Sequence, residues 1–284
     1  MITIKEFPDK TFSAHEEAMK FLIENKETII AQKKAMIKFT DSFSFLPSFY
    51  SDENYSVTKE RADEENDVNK LRLKLVINTC GVLDSHGDVH INGSWNKTAR
   101  ENKNLLLLQE HKATFSHIIS DDVKAKVERF NWTDLGLNAK GETEALVFYA
   151  NVVKERNPYM FEQYQKGFVK QHSVGMYYVK IALCCNNDDE WAKEEKENWD
   201  KYIDQIVNKK DAEERKYFWA VLEAKAVEGS AVVFGSNPIT PTLQVTESNK
   251  TEPSNHSDTD KNEPSKDTQK EEKKGIKIVK LKKK

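Results

Sequence analysis

Between Leu71 and Asn78 the chain reads L-R-L-K-L-V-I-N, apolar residues alternating with polar ones before a short apolar finish. A period of two sends alternate side chains to opposite faces of a strand, so this stretch has one face to bury. Further strand-like runs follow at 104–109, 116–119, 122–130, 144–153, 169–183 and 216–234. Many strands with few helices between them suggest a barrel or sandwich core rather than a doubly wound sheet. They predict an α+β fold, mainly β, with a closed or partly open β-barrel core and peripheral helices.

The helices have their own punctuation. Ser13 with Glu16 three residues on is a capping box, and it predicts a helix from Ser13 to about Lys38. Met19, Leu22, Ile23, Ile30 and Ile37 fall on one face of it, which needs a partner surface in the main domain or in another protein. A shorter helix is framed by Asn157 as N-cap, Pro158 at its first position and Gly167 after its last turn. A third, at about 188–209, is rich in Glu, Lys and Trp and reads as a surface insertion between strands. Residues 51–69 have almost no apolar content and read as a polar linker. From Thr246 the chain holds no aromatic residue and cannot bury enough surface to offset its ordering entropy, which predicts a disordered tail. The tail ends in a basic peptide, Lys273–Lys284. The expected division is an N-terminal amphipathic segment at 1–50, the linker at 51–69, the main domain at 70–245 with a charged insertion at 186–215, and the tail at 246–284.

With 44 basic and 47 acidic residues the net charge is −3, which gives no overall field to steer nucleic acid or a membrane surface. Three cysteines, two of them adjacent, make no disulfide framework and point to a reducing compartment. The N-terminus lacks a signal-peptide pattern, and the apolar runs are too short to span a bilayer, so the expected location is cytoplasmic.

Two regions carry chemistry. D-S-H-G-D-V-H, residues 84–90, offers His86, Asp88 and His90 as alternating metal ligands, with His111 as a fourth for a metal-dependent hydrolase. A turn around Gly87, with Asp84 and Asp88 accepting backbone N–H groups, is the competing reading. His111 ends L-L-L-L-Q-E-H, so a buried strand delivers an imidazole at its rim; His117 follows six residues later. Ser173 sits in K-Q-H-S-V-G-M, where Gly175 leaves the main chain open to close approach by a substrate. The tetrapeptide H-S-V-G is weak alone and is not the G-x-S-x-G elbow. His172 beside it should face away, because adjacent strand residues point to opposite faces.

The order of these pieces resembles the prohead (capsid maturation) serine proteases of tailed bacteriophages, relatives of herpesvirus assemblin. The matching features are Gly81 to Asp88 with Gly93-Ser94-Trp95, then L-L-L-L-Q-E-His111. Gly167 leads into Ser173-Val174-Gly175, and Glu228-Gly229-Ser230-Ala231-Val232 runs on to Asn237. The resemblance spans about residues 72–240 and departs from the family at Gly229, at G-S-N-P and in the length of the insertion. It implies an assemblin-like fold over the main domain and a serine endopeptidase in which His111 is the general base and Ser173 the nucleophile. Glu228 is the third member it favours, with Asp88 and His117 as the other candidates. It calls for no cofactor and no metal. Its implied partners are the phage major capsid protein and scaffold as substrates, the enzyme itself in autocleavage, and a homodimer; no nucleic acid or membrane is involved. The implied location is host cytoplasm, inside the assembling prohead, with the N-terminal helix or basic tail as recruitment device. A non-catalytic assembly or scaffolding protein that keeps the fold is the reading from another class.

Overall fold

The computed structural model describes residues 1–38, 58–61, 68–101 and 103–247. Strands β1 (Ile2–Ile4) and β2 (Phe7–Phe12) form a hairpin, followed by helices α1 (His15–Glu24) and α2 (Lys26–Ala35). Then come β3 (Thr58–Arg61), β4 (Lys70–Thr79), β5 (Asp88–His90), α3 (Asn96–Glu101), β6 (Leu106–Gln109), β7 (Ile118–Ser120), β8 (Asp122–Asn131) and β9 (Glu142–Val153). The chain continues through α4 (Pro158–Gln165), β10 (Gln171–Cys185), α5 (Lys193–Tyr202), α6 (Lys209–Arg215), β11 (Tyr217–Val232) and β12 (Thr242–Glu247). Strands and helices take 42% and 30% of the described residues, so the fold is α+β with strands dominant.

Besides the hairpin there are two five-stranded sheets. One runs β10-β11-β6-β7, with β5 also pairing β11; the other runs β3-β12-β4-β9-β8. Leu71, Leu73, Leu75 and Ile77 of β4 meet Leu107, Val174, Met176 and Trp219 of the first sheet in one shared core. Among the described residues the two sheets face each other and no closed barrel forms, so of the closed or partly open core expected the closed form is not met. The chain passes from one sheet to the other between Ser120 and Asp122, so β7 and β8 share a tight corner where closure would need a ladder. The Ser120 hydroxyl holds that corner, accepting from Asp122 N–H at 3.1 Å and donating to the Asn151 carbonyl at 2.5 Å. Strand runs in a sequence fix which segments are extended but leave their partners open, and here the long-range partners differ from a closed barrel's.

The N-terminal segment departs from a single capped helix. Ser13 donates through its hydroxyl and its N–H to Glu17, at 2.7 and 3.0 Å, rather than pairing with Glu16. The helix breaks at Asn25, whose side-chain amide donates to the Phe21 carbonyl at 2.8 Å and competes with the helical ladder. Ala18, Met19, Leu22 and Ile29 are buried in the shared core, so the partner surface of the amphipathic face is the main domain. In the last turn of α2, Lys33 reaches Asp88 at 2.5 Å.

The insertion between β10 and β11 is two helices, α5 and α6, not one. It is only in part a surface element: Trp199, Tyr202, Ile203 and Ile206 form a second core with Leu83, Val89, Phe218 and Ala220. The adjacent cysteines face opposite ways, Cys184 into that core and Cys185 into the shared one, and all three thiols are free. Thr58–Arg61, placed in the linker by composition, pairs parallel with β12. The rest of the expected linker apart from Val68 and Asn69, and the basic peptide Lys273–Lys284, lie outside the described residues. No described helix is long and apolar enough to cross a membrane.

Candidate active site

Three neighbouring strands build the site. Ser173 on β10 lies opposite Ser230 on β11, and Gly175 lies opposite Glu228. Glu228 and Ser230 are two apart, so they share a face, and cross-strand register sets Ser173 on that face as well. The intervening residue, Gly229, turns to the other face, where a Cβ would meet Phe148 at 2.7 Å and Ile77 at 3.0 Å. Close packing of the two sheets therefore explains the glycine at this departure from the family pattern.

His111 enters from the third strand, β6, which pairs parallel with β11. Glu110 and His111 both have left-handed backbone, at φ 53° and 56°. The Lys112 N–H donates to the Gln109 carbonyl at 3.1 Å, closing a turn with the φ signs of type I′. Non-glycine residues held there cost about 1–3 kcal/mol each and persist where surrounding contacts fix them. Here those contacts are the Glu110 N–H to the Ala231 carbonyl (3.0 Å) and the His111 N–H to Ser230 Oγ (3.1 Å). The turn swings the imidazole across β11 toward β10.

There Nε2 of His111 lies 2.8 Å from Ser173 Oγ, and Nδ1 lies 2.6 Å from Glu228 Oε1. A carboxylate only accepts, so Nδ1–H is the donor. The neutral ring then has Nε2 free to accept the serine O–H, which is the tautomer a general base needs. The second carboxylate oxygen accepts from the Ser230 hydroxyl at 2.6 Å. Ser173, Glu228 and Ser230 are buried, and the His111 side chain is 9% exposed. In the sequence Ser230 is only one residue of the Glu228–Val232 motif. Its role follows once the i, i+2 spacing from Glu228 is combined with the register, because one hydroxyl then braces both the acid and the base's main chain.

Gly175 serves a different purpose from the one expected. A Cβ there would sit 2.2 Å from Glu228 Oε1, so the missing side chain makes room for the acid, not for a substrate. His172 faces the shared core, as alternation predicts. Its Nδ1 meets the Thr240 carbonyl at 3.0 Å and its Nε2 the Tyr164 hydroxyl at 3.0 Å. Burial lowers its pKa to about 4, so this imidazole is neutral and structural.

The other candidates are committed elsewhere. Asp88 pairs with Trp219 in register, nine residues along β11 from Glu228, a separation of roughly 30 Å. Burial opposes its ionisation, yet the Lys33 ammonium and the Tyr178 hydroxyl at 2.8 Å hold its carboxyl below the usual range. His117 bonds through Nδ1 to Thr114 (2.6 Å) and Ser116 (3.0 Å) on an exposed turn. Neither joins His111.

The 84–90 stretch forms a turn in which one of the two expected acids caps the backbone: Asp84 Oδ1 accepts from His86 N–H (2.8 Å) and Asp88 N–H (2.9 Å), whereas the Asp88 carboxylate turns to Lys33 and Tyr178. His90 instead stacks on Trp95 and contacts Met176 Sδ at 3.2 Å. Among the described residues no group of three or more His, Cys, Asp or Glu is placed to hold a metal. Trp95, from the Gly93-Ser94-Trp95 motif, is a core residue whose Nε1–H donates to Asn78 at 3.0 Å. Asn237 locks the loop after β11, donating to the Thr79 carbonyl at 2.8 Å.

What this arrangement can do is deprotonate a serine hydroxyl. Comparison with protein-family models, with curated proteins and with solved structures returns no match.

Proposed function

We propose that the chain is a serine endopeptidase that works by acyl transfer, with Ser173 as nucleophile, His111 as general base and Glu228 as the group that orients and charge-stabilises His111. The observation that carries this reading is the continuous relay from Ser173 through both nitrogens of His111 to Glu228, at 2.8 and 2.6 Å. A serine hydroxyl is a weak nucleophile alone; the relay supplies the base within reach and a fixed tautomer. His111 takes the hydroxyl proton as Oγ bonds to the carbonyl carbon, then delivers that proton to the leaving amine as the C–N bond breaks. Water repeats the cycle to free the acid.

The ordered motifs around these residues support a finer reading, a prohead protease of the tailed-phage type. Its substrates are then the scaffold and N-terminal segments of the major capsid protein, with cleavage of its own chain. Co-expression of wild type and Ser173→Ala with the cognate capsid and scaffold proteins tests it. Shortened products with wild type alone support the reading. Identical uncleaved products from both remove it in favour of a non-catalytic assembly protein.

A further inference from the structure

The face of the first sheet that carries the relay continues beyond it. On β10, Val174 and Met176 point into the shared core, so Ser173, Gly175 and Tyr177 all point away from it. Tyr177 lies opposite Lys225 on β11, which sets that lysine on the relay's face too. Between these pairs β11 runs one residue longer than β10: Gly175 faces Glu228 but Met176 faces Ala226, so Val227 bulges from the ladder. The far edge of β11 changes partner here as well. β5 pairs with residues 219–221 and β6 with residues 228–231. In the gap stands α3, whose Thr98 hydroxyl donates to the Ala224 carbonyl and accepts from the Ala226 N–H, both at 3.1 Å.

Bulge and gap together open a cleft of about 430 Å³, lined by Tyr177, Lys225, Val227 and the stretch between α3 and β6. Its wall thus reaches the residue next to the acid of the relay. At about 3.3 Å per residue, Lys225 is roughly 10 Å along the strand from Glu228, and Tyr177 roughly 13 Å from Ser173. The charge of the cleft is uneven. Lys103 and Lys225 line it, both exposed, with Glu101 as the acid in its walls. A smaller cleft beside it shares Glu101 and Lys225 and adds Lys97. Lys97 and Lys180 both turn to one carboxylate, Glu223, at 3.3 and 3.7 Å. Four ammonium groups therefore stand against two carboxylates, which makes the cleft complementary to a negative group.

We infer that this cleft is a specificity subsite, taking an acidic side chain of the substrate polypeptide about three or four residues from the scissile bond. The inference rests on the serine endopeptidase reading and names the class of sequence that such a site selects. A substrate extended past Ser173 advances by the same length per residue as β10. The residue about three or four places from the attacked bond therefore lies over Tyr177 and Lys225. Tyr177, 38% exposed, offers its ring to the stem of that side chain, and Lys103 and Lys225 meet its carboxylate. Ion pairs open to water are weak, so each lysine contributes a preference of about fivefold at most.

The test gives the full chain a proteome-derived peptide library and reads the cut sites by mass spectrometry. Wild type is compared with Lys103→Glu/Lys225→Glu, and Ser173→Ala supplies the background. Both lysines are exposed, so the charge-reversed chain should fold, which its thermal midpoint checks. Wild-type cuts should carry Asp or Glu about three or four residues from the broken bond several-fold more often than the library does. Charge reversal should turn that preference to Lys and Arg at the same place. Wild-type cuts without an acidic preference there, with an apolar one, or with one that survives charge reversal overturn the inference and leave the endopeptidase reading standing. Wild type that makes no cut beyond the Ser173→Ala background overturns both, whether or not Ser173 reacts with a fluorophosphonate probe.

Discussion

Replacing Gly175 by alanine places a methyl carbon 2.2 Å from Glu228 Oε1, 3.0 Å from its Cδ and 3.1 Å from its Cγ. To restore even a 3.0 Å contact the carboxylate oxygen must retreat by about 0.8 Å. Taken away from the imidazole, that retreat stretches the 2.6 Å bond to His111 to about 3.4 Å, beyond the useful range for N–H···O. Ser173 and His111 keep their side chains, so the change isolates the orienting acid. Misplacement on this scale costs about a hundredfold, and full loss of the acid's orienting role costs about 10⁴ in kcat. The expected result lies between these, read as the rate of Ser173 phosphonylation and of protein cleavage, with circular dichroism unchanged. Gly175→Ala combined with Glu228→Asp shortens the acid by one methylene and should recover part of the loss. A folded Gly175→Ala protein with wild-type rates would refute the idea that this glycine exists to seat the acid.

Other expectations follow from the same geometry. His172→Phe should keep Ser173 labelling within a few-fold while lowering the thermal midpoint, whereas His111→Ala should abolish labelling; equal losses would reverse their assignment. Lys33→Met strands a buried Asp88 carboxylate and should destabilise the fold by about 3–5 kcal/mol in urea unfolding, with Lys33→Met/Asp88→Asn less affected. Burial lowers the pKa of His90 and His172 to about 4 each. The unfolded chain binds these protons near pH 6.5 and the folded chain does not, so stability is lost as pH falls from about 6.5 to 4. Each contributes roughly 3 kcal/mol across that window. His90→Phe should flatten the acid limb of a denaturation series by about one proton, and an unchanged slope would contradict the assignment.

His111, Ser173 and Glu228 were named in the sequence through the family resemblance that the order of the motifs carries, and the structure sets their side chains within hydrogen-bond reach of one another. Strand alternation separated His172 from Ser173. What stayed hidden depends on pairing. Glu228 and Gly175 meet only because β10 and β11 align them, and a register shift beyond Gly175 sets Met176 opposite Ala226. No local pattern encodes that. Whether the sheets close on each other stayed hidden for the same reason, since partners of β4 or β7 lie far away in sequence. The β1–β2 hairpin was missed because I-T-I and F-P-D-K-T-F are short and one holds a proline. Ser13 illustrates a smaller ambiguity: glutamates at both three and four residues on were available, and geometry selected Glu17.

Nucleophile and acid stand on the two arms of one long hairpin, β10 and β11, whose tip carries the insertion. From Ser173 to Cys185 is roughly 40 Å of extended chain. The tip residues Asp188 and Glu190 have side chains 91% exposed. A reporter domain or affinity handle grafted between Asn187 and Asp189 would therefore ride at the end of this hairpin away from the relay. This makes the tip a natural place to label the protein without touching the relay.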